Sequence, residues 1–172
     1  MEDQILNQQQ QRLELISLLG DLPDPNTPLS TILVSEQIEH GLNTQRWEIE
    51  FGGIEAVPIL VILPEGEGPF PVVLYNHAHG GHYEHGKEEL LTGRPAILDP
   101  PYGGVLAARG IASVGIDTFV FGERNHDHEA ATFKRMLWNG QVMWGLMVYD
   151  NLRAVDFIEQ HPLLDGKRIA TM

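Results

Sequence analysis

Three short apolar runs constrain this chain more than anything else in it: Val57 to Leu63, Pro71 to Tyr75 and Ile111 to Asp117. Runs of that length, rich in β-branched residues and bounded by turn formers, read as buried strands. Glu65-Gly66-Glu67-Gly68-Pro69 between the first two is a turn. Pro58, near the start of its run, suits an edge strand or a first position, because it has no N–H for the ladder. Between the second and third runs a helix fits, passing through Val105, Leu106 and Ala108 and ending at Gly110. Asp99-Pro100-Pro101 stands where a carboxylate could cap that helix and proline needs no N–H. A strand, a helix and another strand in succession make a parallel pair in one sheet.

The flanking sequence extends this pattern. Trp47, Ile49 and Phe51 alternate with Arg46, Glu48 and Glu50, the period of a half-buried strand, and Gly52-Gly53 turns after it. Gln141 to Gln160 has a helical period with Val148, Leu152, Val155 and Ile158 on one face. His161-Pro162 stops it, Asp165-Gly166 turns, and Arg168 to Met172 begins another strand. A helix over Gln4 to Leu19 shows Ile5, Leu13, Ile16 and Leu19 and stops at Gly20, with Leu22 to Pro28 as a linker. The expected fold is α/β: antiparallel N-terminal strands, then parallel strands flanked by helices. Residues 1–25 are expected to form a helical extension and linker, and 26–172 the main body.

Charge narrows the partners. With 24 acidic against 11 basic residues, the chain carries a formal net charge of −13, which repels phosphate backbones and anionic membranes. It has no cysteine, so disulfides, thiol redox chemistry and cysteine zinc sites are excluded. The longest apolar run, Val142 to Tyr149, is broken by Gly145 and is far from membrane-spanning length. A cytoplasmic protein with neither nucleic acid nor membrane as partner is expected.

Two connections are long, His77 to Leu98 and Thr118 to Gly140, and both leave the C-terminal ends of parallel strands, where open α/β sheets bind ligands. The first begins Asn76-His77-Ala78-His79-Gly80-Gly81, a glycine-rich turn whose backbone N–H groups could point at a developing oxyanion; the alternative is a turn that merely redirects the chain. His77, His79, His82 and His85 lie close together, with His126 and His128 in the other loop. His77, His79 and His82 could hold one metal, or be turn and solvated loop residues. Asp117 ends a strand at the candidate site edge and Arg124 could bind a carboxylate; alternatively Asp117 caps its loop and Glu123 or Arg124 forms a local salt bridge. Trp138, Trp144, Met143 and Met147 either line an acyl pocket or pack the helix.

The ordered set Phe70-Pro-Val-Val-Leu-Tyr-Asn-His-Ala-His-Gly-Gly81, Leu106-Ala-Ala-Arg-Gly-Ile111, Gly115-Ile-Asp117 and Phe121-Gly-Glu-Arg124 resembles the α/β-hydrolase superfamily. The nearest likeness is to its dienelactone hydrolase and acetyl xylan esterase-like branch. Tyr149 to Phe157 followed by Leu164-Asp-Gly-Lys-Arg-Ile169 resembles the segment leading into the nucleophile elbow. The resemblance implies a serine ester hydrolase acting on small acyl esters, sugar acetates or lactones, without metal or organic cofactor. It also implies that the N–H of His79, or alternatively of Gly80, is an oxyanion-hole donor; Ala78 stands where the family has glycine. Ser17, Ser30, Ser35 and Ser113 are the only serines, and none lies in Gly-x-Ser-x-Gly. The expectation is therefore an N-terminal part of such an enzyme, ending just before the elbow. It would lack the triad, be inactive alone, and pair or form a homo-oligomer through an exposed sheet edge. The competing classes are a metal-dependent hydrolase on the histidine loop and a non-catalytic remnant.

Overall fold

The computed structural model describes residues 2–95 and 99–172, and the side chains of residues 2–6 are outside the description. Among the described residues there is one mixed, six-stranded sheet, ordered β1-β2-β3-β5-β4-β6. Its strands are β1 (Ser30–Glu39), β2 (Leu42–Glu50), β3 (Val57–Leu63), β4 (Phe70–Tyr75), β5 (Ala112–Ile116) and β6 (Leu164–Thr171). β1, β2, β3 and β5 are successively antiparallel, and β4 is parallel to both β5 and β6. The helices are α1 (Glu2–Ser17), α2 (Glu89–Thr92), α3 (Tyr102–Ala107), α4 (Glu129–Trp138) and α5 (Met143–Gln160). The sheet is thus antiparallel at first and parallel later, as the sequence implies. None of the described helices is long and apolar enough to cross a membrane.

β3 is an interior strand, with every residue buried, which corrects the edge placement that Pro58 suggests. Pairing with β5 begins only at Ile59, and the Pro58 carbonyl accepts from the Asp117 N–H at 3.2 Å, so the missing donor falls at the end of the ladder. One absent hydrogen bond is worth about 1 kcal/mol, whereas burying each Val, Ile or Leu beside it gains about 1.5–3 kcal/mol. Burial wins.

The interior splits across the sheet. On one face Ile59, Val61, Val72, Leu74, Val114 and Ile116 pack with Phe157, Ile158 and Tyr149 of α5; on the other, Leu60, Ile62 and Tyr75 pack with Leu90 and Leu91 of α2. The face that α5 buries includes Ile158 of the expected set, with Val155 packed against the core, but is rotated from it. Val148 is exposed and Leu152 and Val155 are half-buried, whereas Tyr149, Asp150 and Arg153 point inward. Hydrogen bonds account for the rotation. Tyr149 donates to the Asp24 carbonyl at 3.0 Å and Arg153 to the Thr27 carbonyl at 2.6 Å, so α5 fastens the 22–28 segment to the body by its polar groups.

One further expectation is corrected, and two elements appear that the sequence does not mark. α3 is capped by Pro101 without any side-chain hydrogen bond, so Asp99 is not its cap. β1, unremarked in the sequence, forms a hairpin with β2 through His40 and Gly41, both at positive φ (50° and 78°), as a two-residue primed turn requires. The connection from Thr118 to Gly140 contains α4, whose first turn is capped by His128 accepting from the Ala130 N–H at 3.3 Å. In the other long connection, a 3-10 turn at Gly86–Glu88 leads into α2, and residues 96–98 lie outside the description.

Candidate functional site

Where β4 and β5 end, a cleft of about 260 Å³ opens between the two long connections. Asn76, His77 and His79 line it from β4, Thr118 and Phe121 from β5, and Glu129 from α4, with Met143, Trp144, Met147, Val148 and Asn151 of α5 completing the wall. Larger hollows elsewhere, such as that between Arg12, Pro25 and α5, lie away from the strand ends. Val120, fully buried, sits at φ +68°, a conformation that a β-branched residue adopts only when its surroundings impose it. The turn it makes delivers Phe121 to the cleft.

His77 joins the two loops. Its Nε2 accepts from the Thr118 N–H at 3.3 Å and lies 2.9 Å from the Thr118 hydroxyl. Because an amide N–H only donates, Nε2 carries no proton, and Nδ1 donates to the Ala78 carbonyl at 3.4 Å. Burial lowers its pKa below the ordinary histidine value.

His79 is exposed, and its Nε2 donates to Glu129 at 3.1 Å while Tyr83 donates to the other oxygen of that carboxylate. These bonds, Tyr83's first, hold Glu129 below the usual carboxylate range. Gly80 follows at φ +45°; it is not part of the cleft wall, whereas His79 is. Among the described residues, neither the His79 nor the Gly80 N–H meets an acceptor within the protein, and both positions are open to water. Beneath them, buried Glu89 accepts from the Tyr75 hydroxyl at 2.8 Å and the Ala78 N–H at 3.1 Å. Arg94 donates to Glu89 at 2.8 Å and to the carbonyls of Ala78 and His79 at 3.0 and 3.3 Å.

The remaining candidates separate cleanly. His77, His79 and His82 do not converge; the group of metal-ligating type found among the described residues is His82, Glu84 and His85, on the surface. Asp117 is wholly buried and does not line the cleft. It accepts from the Lys87 N–H at 2.8 Å, the Lys87 ammonium at 2.6 Å and the Glu123 N–H at 3.0 Å. A Cβ on Gly86 or Gly122 would come within 2.2 and 2.4 Å of its carboxylate, so only glycine fits at either position. Arg124 bonds the Asp117 carbonyl, Asp150 and Glu55 at 3.0, 2.7 and 2.8 Å and lies over the Phe119 ring. These are structural contacts, as the plainer of the two sequence readings holds. His126 and His128 are exposed. Met143 and Met147 both pack α5 and line the cleft, Trp144 lines it while remaining largely exposed, and Trp138 faces solvent.

Glu89, Arg94 and Glu129 carry no pattern that marks them in the sequence. Their partners lie 5 to 50 residues away, and only folding reveals them. Asn76 ties the cleft to β6: its N–H donates to the Met172 carbonyl at 2.8 Å and its side chain to Thr171 at 2.9 Å.

No family model matches the sequence. A Bacillus subtilis (strain 168) protein named "Putative hydrolase YtaP" is 37% identical over 166 residues, covering 95% of this chain and 54% of that protein. The chain thus spans about half the length of the curated relative it matches. The structure of a "putative acetyl xylan esterase" from Bacteroides fragilis NCTC 9343 superposes with a TM-score of 0.67 at 16% identity, over 92% of this chain and 44% of that one. The acetyl xylan esterase of Paenibacillus sp. R4 gives 0.57 at 18%, over 92% and 49%. The chain therefore shares the fold of these solved esterases, as the α/β-hydrolase resemblance implies.

Proposed function

From a chain that shares the fold of α/β-hydrolase esterases, we propose that the protein is a serine carboxylic-ester hydrolase, with small acyl esters, sugar acetates or lactones as substrates. The observation that carries the reading is the meeting, at one cleft, of a turn with open N–H groups and the end of β6. Asn76 holds the Met172 carbonyl beside that turn, so a nucleophile borne on the turn after β6 would arrive next to His79. In this reading residues 26–172 are the N-terminal part of the hydrolase domain, preceded by a helical extension at 1–25. The triad lies beyond Met172, and the 172 residues alone are inactive. The enzyme is cytoplasmic, needs no metal or organic cofactor, and this part alone pairs through the β6 edge.

The serine would attack the ester carbonyl, a histidine taking its proton and returning it to the leaving alcohol. The His79 N–H, with Gly80 as the alternative, would bind the oxyanion. His79 is favoured because it lines the cleft and Gly80 does not. The wall of Phe121, Met143, Trp144, Met147 and Val148 suits an apolar acyl or alcohol group. Asn151 Oδ1 is buried there without a hydrogen-bond partner, a state that points to a ligand site.

The coding sequence after codon 172 should read Gly-x-Ser-x-Gly, and the full-length protein should cleave p-nitrophenyl acetate while residues 1–172 do not. A stop codon at that point, or no serine there, sinks the assignment.

A further inference from the structure

Two buried charges sit beneath the His79–Gly80 turn without lining the cleft. Glu89 is wholly buried and Arg94 is 4% exposed, with 2.8 Å between them. A buried ion pair is a poor way to gain stability, since desolvation cancels much of the attraction and apolar residues of the same volume often do better. What such a pair does, and apolar residues cannot, is fix the direction of the polar groups it touches. Here those groups are backbone.

We infer that Glu89 and Arg94 are positioning residues that aim the N–H groups of His79 and Gly80 outward, an inference that rests on reading this turn as the oxyanion hole. The peptide unit is planar and trans, so a carbonyl and the following N–H point in opposite directions. Arg94 draws the Ala78 carbonyl inward and thereby turns the His79 N–H outward; by holding the His79 carbonyl it does the same to the Gly80 N–H. Glu89 secures the preceding peptide through the Ala78 N–H. Two side chains thus hold three successive peptide planes. A Cβ on Gly80 would lie 2.6 Å from Arg94 Nη2, so the guanidinium fills the space where a side chain would stand. Oxyanion donors lower a barrier only when they are set before charge develops, and this pair sets them.

The test compares wild-type full-length protein with Arg94→Ala, Arg94→Lys and Gly80→Ala, measuring kcat and KM on p-nitrophenyl acetate and the ¹H–¹⁵N signals of residues 79 and 80. Loss of one oriented donor costs roughly 100-fold in kcat. Arg94→Ala should show a fall of that order with KM nearly unchanged, Arg94→Lys should recover part of it, and both amide signals should move. A purely structural role would lower the folded fraction without separating kcat from KM. An active wild type with unchanged kcat in folded Arg94→Ala overturns the positioning role and leaves the esterase reading intact. An inactive wild type whose amide signals still move in Arg94→Ala overturns the esterase reading while upholding the directing contact. If Arg94→Ala does not fold, Gly80→Ala on the exposed turn decides: a kcat loss with KM kept supports the role, and no change removes it.

Discussion

The loops leaving β4 and β5 start side by side, from paired parallel strands, and treat their polar groups in opposite ways. After β5, Asp117 gathers the Lys87 and Glu123 N–H groups and the Lys87 ammonium, and its carbonyl takes Arg124. After β4, Glu89 and Arg94 occupy the inward-facing groups of the turn and leave the His79 and Gly80 N–H groups without protein acceptors among the described residues. A carboxylate at the ligand-binding edge of a sheet is therefore not enough to make a catalytic acid. Asp117 occupies that edge and its carboxylate is spent on Lys87 of the neighbouring connection and Glu123 of its own, whereas the turn after β4 keeps donors available.

Asp117→Ala should have the largest effect on stability. It leaves the buried Lys87 ammonium with Glu123, which is exposed, and Glu88 at 4.0 Å, and removing one partner of a buried pair costs about 3–5 kcal/mol. Urea unfolding should show a loss of that size; a loss below about 1 kcal/mol would mean that the loop after β5 closes without its carboxylate.

The two loops should also answer pH with opposite signs. His77 has a folded-state pKa below its ordinary 6.5 because it is buried. The unfolded state therefore binds the extra proton first, and this stabilisation is lost as pH falls below 6.5. Asp150, which pairs with Arg124 in the other network, is pushed up to about 6 by burial, against Arg124. Between 3.8 and that value the folded state holds more protons, so its contribution falls as pH rises through the window. In Asp150→Asn the opposing contribution disappears, and stability from pH 4 to 6 should rise more steeply than in the wild type. An unchanged slope would show that Arg124 cancels the burial of Asp150.

Thr118→Val should have the smallest effect. Its hydroxyl links the loops through His77, but the backbone N–H keeps its own bond to the same nitrogen, so about 0.5–1.5 kcal/mol should be lost. Chemical denaturation measures it, and a loss beyond 3 kcal/mol, the full cost of a stranded buried group, would mean that the N–H bond does not survive alone.

What was legible in the sequence follows the strength of burial contrast. β3, β4 and β5 are buried nearly throughout and read directly as apolar runs, and the turn after β4 announced itself by its glycines. β1 was missed because Ser30–Glu39 is exposed almost throughout, so no alternation marks it as an edge strand. α4 was missed because it buries only Thr132 and Met136, too little to print a helical stripe. On α5 only Ile158 of the expected face is fully buried, because Tyr149 and Arg153 turn inward for hydrogen-bond partners that lie more than 100 residues away in sequence. For the same reason Glu89 and Arg94 were illegible: two charges in a long connection have no periodicity, and their meaning comes only from the backbone they reach.

The buried pairs Lys87–Asp117, Glu89–Arg94 and Arg124–Asp150 also give the molecule an uneven response to heat. The penalty for stripping water from charges shrinks with rising temperature, while the gain from burying apolar surface levels off. The end of the sheet that carries these pairs should thus weaken less on warming than the hairpin of β1 and β2, whose outer strand is exposed almost throughout. Heat should loosen the molecule from that hairpin inward, with the cleft among the last parts to lose its shape.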